Sequence, residues 1–315
     1  MTNAFMFPGQ GSQAVGMGRA LAENFPVARA VFDEVDAALG QHLSKIMWEG
    51  PEADLTLTEN CQPALLAVSM AVIRVLETEH GITVANTAKF VAGHSLGEYS
   101  ALAAAGTFTL ADAARLLRIR GTAMQNATPI GTGAMAALLG LDFATTSAVA
   151  AEAAQGDVCQ AANDNSDGQV VISGHKSAVE RAMEIAKARG AKRAIMLTVS
   201  APFHCALMQP AAEVMARALS EVAMQPPAVP VVANVGAAPL IDPAAIRSSL
   251  VAQVTGTVRW RECVSYMAHH GVQHFYEIGS GRVLAGLSRK NAPNSTAAHM
   301  STPEDIAAAA VQIKG

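Results

Sequence analysis

The strongest constraint on this chain is the run Gly93-His94-Ser95-Leu96-Gly97. It lies between the apolar Phe90-Val91-Ala92 and the Ala/Leu-rich segment 96–105. The apolar run reads as the end of a buried strand, and the following segment reads as a helix. A G-x-S-x-G sequence in that strand-turn-helix context is the pattern of a nucleophile elbow. The sharp turn holds its central residue in strained geometry, and the flanking glycines let neighbouring backbone pass close by. A serine there presents its hydroxyl at a helix N-terminus, where N–H groups and the helix dipole favour developing negative charge. Ser95 is the expected nucleophile.

The 315 residues suffice for one large α/β domain, or for one carrying an insert. With 51% hydrophobic but only 4% aromatic residues, the core must be built from Ala, Val, Leu and Met. A net charge of −4 makes no general electrostatic case for binding nucleic acid or an anionic membrane. Cys61, Cys159, Cys205 and Cys263 show neither a C-x-x-C pair nor a metal-ligand rhythm, so buried reduced thiols are expected. The N-terminal residues lack the basic-then-apolar pattern of a signal peptide. No charge-free segment is both long enough and unbroken enough to span a bilayer, the 226–241 stretch being interrupted by prolines. A cytoplasmic protein is expected.

Residues 4–7 form a short apolar run broken by Pro8, followed by Gly9-Gln10-Gly11-Ser12-Gln13. The spacing Gly9-x-Gly11-x-x-Ala14 superficially matches a dinucleotide fingerprint. Pro8 interrupts the junction, however, and Asp33 and Glu34 fall in a helical pattern over 27–39 instead of at a strand end. A loop whose backbone N–H groups approach something from the sheet edge fits better. Gln62-Pro63 is expected to open an apolar core helix over 64–76. A further helix starts at Thr109 and runs to about Met124. Its Arg115 and Arg118 share a polar face, but Arg120 lies one turn after Leu116 and one turn before Met124, on the apolar stripe. A guanidinium there is costly unless an anion meets it. The anion is either an internal Asp or Glu, or a substrate carboxylate held by two parallel hydrogen bonds, which suits Arg better than Lys.

From Pro129 the pattern changes. Strand 134–139, helix 144–154, strands 158–162 and 169–173, helix 177–189 and strand 193–199 follow in turn. That β-α-β-β-α-β order is ferredoxin-like. The expected architecture is therefore α/β: a hydrolase-like subdomain with a mostly parallel sheet (1–127 and 199–315), carrying a small inserted subdomain (128–198). A cleft between two such parts is a common ligand site. Past the insert come a loop around Pro202-Phe203-His204, helix 211–222, strand 229–235, helices 244–254 and 262–269, and strand 272–278. Gly279-Ser280-Gly281 lacks the G-x-x-x-x-G-K-[ST] pattern, so it reads as a plain strand-to-helix turn. Beyond Asn291 the chain is polar and loosely patterned before a short Ala-rich helix.

A serine hydroxyl needs a nearby base to be nucleophilic at neutral pH. Among nine histidines, His274 falls mid-strand, and His42, His80, His175 and His299 fall in polar or turn segments. His269 and His270 end a helix, where imidazolium suits the dipole. His94 adjoins the nucleophile but its place in the turn points it elsewhere. His204, alone on a Pro-shaped loop, ranks first.

Together these residues resemble the malonyl-CoA:acyl-carrier-protein transacylases of fatty-acid synthesis, over nearly the whole chain. The likeness rests on Phe7-Pro8-Gly9-Gln10-Gly11-Ser12-Gln13, on 93–102, on Arg118-Ile119-Arg120-Gly121-Thr122-Ala123-Met124-Gln125, on 131–137, on Asn165 with 168–174, and on Pro202-Phe203-His204. Jointly these motifs are highly specific. The resemblance implies Ser95 as the acyl-accepting nucleophile, His204 as its base and Arg120 as the clamp on the malonyl carboxylate. It further implies an oxyanion hole from the backbone N–H groups of Gln10 and Leu96, and the backbone carbonyl of Gln253 orienting His204. An acceptor on one imidazole nitrogen fixes the tautomer at the other, so no triad acid is needed. Members of the family usually carry Pro-Val-Arg-Trp after that glutamine, and here Thr257 stands where the proline is expected. Phe203 is the residue type that related domains associate with malonyl over branched acyl groups.

The implied partners are malonyl-CoA and acyl carrier protein, with no cofactor or metal and a monomeric enzyme. Because the carrier is acidic as a family, docking needs a local basic patch: Lys187, Arg189, Lys192 and Arg193, or Arg282, Arg289 and Lys290. The elbow alone also fits a serine thioesterase, since acidic residues lie between Ser95 and His204. A non-catalytic carrier-binding module is disfavoured by the presence of both Ser95 and His204. Trans-acting polyketide and malonate decarboxylase acyltransferases would look very similar.

Overall fold

The computed structural model describes residues 2–315; Met1, part of the stretch read for a signal peptide, lies outside them. The described residues hold ten strands: β1 (Asn3–Phe7), β2 (Ala88–Gly93), β3 (Gly133–Leu139), β4 (Cys159–Ser166), β5 (Gln169–His175), β6 (Arg193–Met196), β7 (Val231–Val232), β8 (Pro239–Leu240), β9 (His274–Ile278) and β10 (Thr296–Met300). They form two sheets. The larger has the order β10-β9-β1-β2-β7-β8, and every pairing is parallel except β7 with β8. All of β1 and all of β2 but Lys89 are buried, the pattern of parallel strands covered by helices on both faces. The register Phe7↔Gly93 brings the loop after β1 beside the turn after β2, at the carboxyl ends of the central strands. Crevices in open α/β sheets form at such ends.

The smaller sheet has the order β4-β5-β3-β6 and is antiparallel throughout. Helices Phe143–Ala154 and Lys176–Ala188 supply its crossovers. This is the ferredoxin-like order expected from the sequence. Its core is small-residue rich (Ala134, Ala136, Val149, Ile172, Ala178, Ala182), which lets the helices sit close to the sheet. The edge strand β4 is bonded to the segment after helix Pro243–Thr255: Asp164 N–H donates to Val258 O (2.9 Å) and Val258 N–H to Ala162 O (2.9 Å).

Five local expectations need correction. The core helix runs Thr58–His80, so Pro63 lies inside it instead of opening it. Cys61 N–H to Leu57 O (2.8 Å) closes the first turn before the proline is reached. An interior proline costs about 3 kcal/mol, whereas each buried Leu or Val contributes roughly 1.5–3 kcal/mol. Leu65, Leu66, Val68, Val72, Val75 and Leu76 are all buried, so burial wins. At 23 residues, with mean hydropathy 1.3 over its most apolar 18, this helix is long and apolar enough for a bilayer span. It nonetheless carries Glu59, Arg74, Glu77 and Glu79, and 83% of its most apolar stretch is buried within the protein. The strand expected over 229–235 is paired only at Val231–Val232, and the one expected over 193–199 stops at Met196. The polar tail forms β10, an edge strand paired to β9 on one side only. His274 opens β9 and is partly exposed, its Nδ1 2.6 Å from Thr296 Oγ1.

Candidate active site

β2 ends at Gly93 and helix Gly97–Ala104 begins four residues later, so the chain reverses around Ser95. Ser95 has φ 54°, a left-handed conformation that costs a non-glycine residue of order 1–3 kcal/mol. Both flanking glycines are required by contact. A Cβ on Gly93 would lie 1.9 Å from Gly97 O, and one on Gly97 would lie 2.2 Å from Phe7 O.

Ser95 Oγ lies 2.7 Å from His204 Nε2, and His204 Nδ1 lies 2.9 Å from the Gln253 carbonyl oxygen. The carbonyl can only accept, so Nδ1 carries the proton and Nε2 faces the serine as a base. His204 is itself in the left-handed region (φ 58°), on the loop between β6 and helix Gln209–Glu221. Burial, and then the nearby positive charge of Arg120, push its pKa down to about 3 against the opposing bond to Gln253. The ring is neutral at pH 7. His94 turns away from the serine: its Nε2 lies 2.8 Å from Asn165 Oδ1, and its ring packs on Trp260.

Arg120 is 1% exposed, in line with Leu116 and Met124 on the buried stripe of helix Leu110–Gln125. Among the described residues no carboxylate lies within ion-pair distance of it. Its partners are neutral: Nη1 donates to Gln62 Oε1 (2.9 Å), and Nη2 to Gln253 Oε1 (2.8 Å) and Ser95 Oγ (3.1 Å). Nε has no partner. Burial lowers its pKa while Tyr99 and Glu98 oppose the shift. The guanidinium is therefore desolvated and has spare donors for an anion.

These groups face a cavity of about 330 Å³ whose apolar wall includes Met124, Met135, Leu197, Val199 and Phe203. Gln10 and Leu96 also line it, and among the described residues their backbone N–H groups donate to no protein acceptor. The arrangement can run acyl transfer: a nucleophile, a neutral base, free N–H donors beside the serine and a buried cation. Thr257 anchors the neighbouring segment, its hydroxyl donating to Ala161 O (2.7 Å) on β4. This contact needs the hydroxyl, which proline lacks.

Sequence reasoning did not single out Gln62 or the Gln253 side chain. Gln62 escaped because it was taken to precede the helix; inside the helix it faces Arg120 on the neighbouring helix. In the first basic cluster Lys187 is paired with Glu184 (2.6 Å) and Arg189 with Glu152, while Lys192 and Arg193 are exposed with no carboxylate partner among the described residues. Arg282, Arg289 and Lys290 are exposed with no carboxylate partner among the described residues. Their helix follows a turn tied to the loop after β1 by Ser280 Oγ donating to Ser12 O (2.7 Å).

The pattern of the acyl transferase domain matches residues 4–298, which include all of these site residues. The malonyl CoA-acyl carrier protein transacylase of Escherichia coli (strain K12) is 49% identical over 306 residues, 97% of this chain and 98% of its own. An acyl-carrier-protein-S-malonyltransferase from Bartonella henselae superposes with a TM-score of 0.98 at 56% identity, covering 100% of both chains. A structure of a type II PKS acyl-carrier protein with its malonyl-transacylase matches with a TM-score of 0.96 at 44% identity, over 99% of this chain and 100% of that one. Sequence pattern, relatives and superposition agree over nearly the full length, and this chain belongs to the acyl transferase domain family.

Proposed function

We propose that this chain transfers the malonyl group of malonyl-CoA to the phosphopantetheine thiol of acyl carrier protein, through a malonyl ester on Ser95, for fatty-acid elongation. One observation carries this: Ser95 Oγ stands between a neutral base at 2.7 Å and a buried guanidinium at 3.1 Å that has no carboxylate of its own. The relatives' names support the donor and the acceptor.

In the first half-reaction His204 Nε2 takes the Ser95 proton as Oγ attacks the thioester carbonyl. The N–H groups of Gln10 and Leu96 hold the oxyanion, a term worth several kcal/mol in such sites. The Gln253 carbonyl stabilises the imidazolium that forms, in place of a triad carboxylate. His204 then returns the proton to the departing CoA thiolate. The carrier thiol repeats these steps in reverse, giving ping-pong kinetics. Arg120 holds the malonyl carboxylate; an acyl group without one leaves the buried cation unpaired and is rejected on that ground.

The proposal treats 128–198 as a subdomain inserted between 1–127 and 199–315. It also has the enzyme acting as a cytoplasmic monomer without a cofactor. Arg282, Arg289 and Lys290 are the proposed carrier face, because none of the three spends its charge on an internal carboxylate, whereas two of the four residues in the other cluster do. Supply of a polyketide carrier is a second reading, favoured by the likeness to the complexed transacylase. Intact mass after mixing with malonyl-CoA, with Ser95→Ala as control, tests the core proposal: a malonyl adduct on the wild type alone is expected, and its absence sinks the proposal. A thioesterase would discharge that adduct in water, whereas a transferase holds it until a thiol arrives. Comparing fatty-acid and polyketide carriers as acceptors separates the two roles.

A further inference from the structure

Ser95 is held from both sides by side-chain amides. Its N–H donates to Asn234 Oδ1 (2.8 Å), and its carbonyl accepts from Gln253 Nε2 (3.0 Å). The other end of the Asn234 amide donates to Gly93 O (2.7 Å), so this one side chain bridges the peptide groups on either side of His94. Backbone partners fix which end of the amide is oxygen. A single carboxylate oxygen, Glu98 Oε2, then accepts from Asn234 N–H (3.0 Å) and from Gln253 Nε2 (2.9 Å). Asn234, Gln253 and Glu98 are 0–1% exposed and come from three separate elements: the loop after β7, helix Pro243–Thr255 and helix Gly97–Ala104.

Burying a carboxylate in this way is expensive. Glu98 has its pKa raised to about 7 by burial, against the Asn234 and Gln253 hydrogen bonds and the charge of Arg120. The other titratable groups that feel it are Tyr99 on its own helix and Cys263 on helix Trp260–His269. Asn234 neither lines the cavity nor touches Arg120. A structure keeps such an arrangement when it over-determines a strained backbone.

We propose that Asn234 is a positioning residue for Ser95, and that Glu98 sets Asn234 and Gln253 in place as the two clamps on the left-handed Ser95 backbone. The clamps keep Oγ within reach of His204 Nε2 at the start of the acyl-transfer step. Misplacement of a reacting group by about 1 Å costs on the order of 10²-fold in rate. This inference rests on Ser95 being the acylated residue.

The test reads Ser95 reactivity in two ways in the full-length protein: the rate of acylation by malonyl-CoA, and the rate of sulfonylation by phenylmethanesulfonyl fluoride. The second needs only the Ser95–His204 pair. Asn234→Leu should slow both by about 10²-fold, with the malonyl-CoA concentration for half-maximal acylation within about twofold of wild type, because Arg120 is untouched. Glu98→Leu, which removes the shared acceptor, should slow both by at least tenfold. Glu98→Gln should rescue, because one amide oxygen can take both hydrogen bonds. Wild-type rates in Asn234→Leu, or equal losses in Glu98→Gln and Glu98→Leu, overturn the inference. If Asn234→Leu does not fold, the two Glu98 variants decide alone. Wild type that is sulfonylated but takes no malonyl group refutes the proposed function and leaves this inference to the sulfonylation rates. Wild type refractory to both reagents overturns it, since no reactive serine is then held.

Discussion

Arg120→Ala removes a guanidinium that is 1% exposed and bonded only to neutral oxygens of Gln62, Gln253 and Ser95. With malonyl-CoA, the lost partner is the one charge able to pair with the substrate carboxylate in a desolvated site. Truncating one member of such a pair costs about 2–5 kcal/mol, which at 1.36 kcal/mol per decade is roughly 30- to 5,000-fold in kcat/KM. With acetyl-CoA the sign reverses. Wild-type enzyme holding an acetyl group keeps its buried cation unpaired, a penalty of order 1–3 kcal/mol for a desolvated donor, and the variant is free of it. Arg120 also depresses His204 basicity and donates to Ser95 Oγ, so its removal leaves a stronger base and a less encumbered nucleophile. Acetylation should rise by about tenfold, and the malonyl-to-acetyl ratio should fall by at least about 300-fold. The assay is competition between the two thioesters, read as the ratio of malonyl- to acetyl-enzyme by intact mass. Circular dichroism checks that Gln62 and Gln253 tolerate the loss. An unchanged ratio in folded variant protein would refute the assignment of Arg120 to the carboxylate.

Formate fits a cavity of about 330 Å³ beside an acetyl group. As a detached carboxylate it should accelerate acetylation of Ser95 in wild type and have no effect in Arg120→Ala; equal effects on both proteins would show that the anion acts elsewhere. The His204 ring, with its pKa pushed down to about 3, should show no NMR titration between pH 5.5 and 8, and an inflection near pH 6.5 would contradict its burial. Because the folded value lies below the unfolded one, His204 contributes stability above pH ~6.5 that is lost as pH falls toward 3. Gly97→Ala forces a methyl to within 2.2 Å of Phe7 O; a loss of about 2–3 kcal/mol in urea unfolding is expected together with loss of acylation, and wild-type stability would mean the elbow can open. Charge reversal at Arg282 and Lys290 should weaken carrier binding and flatten its salt dependence more than reversal at Lys187 and Arg189; the opposite order would move docking to the smaller sheet.

Much of the site was legible where chemistry is local. The elbow needs five consecutive residues between a strand and a helix, and the structure shows why two are glycine: backbone from Gly97 and from Phe7 occupies the space of each Cβ. Arg120 was visible through helical periodicity, because position on a stripe decides burial before any partner is known. His204 was reached only by elimination, and the backbone role of Gln253 only by resemblance. A carbonyl has no residue signature.

What remained hidden depends on distant chain meeting distant chain. Gln62 was displaced by the local rule that proline opens a helix, which burial of a long apolar face overrode. β10 carries no apolar alternation because it is an edge strand, so its pairing with β9 left no period to find. Glu98 lies within the 93–102 motif without a role marked for it there and Asn234 lies in no motif, yet they meet under Ser95 from positions 136 residues apart. The sequence by itself determined the α/β order, the inserted β-α-β-β-α-β unit, the strained serine and the buried arginine, since these follow from short-range sterics and hydrophobic period. Only the tertiary structure decided that Arg120 meets amides instead of a carboxylate, and that one buried carboxylate ties both amides to the serine. A hydrogen bond's partner is set by where separate elements come to rest, and no local pattern encodes that.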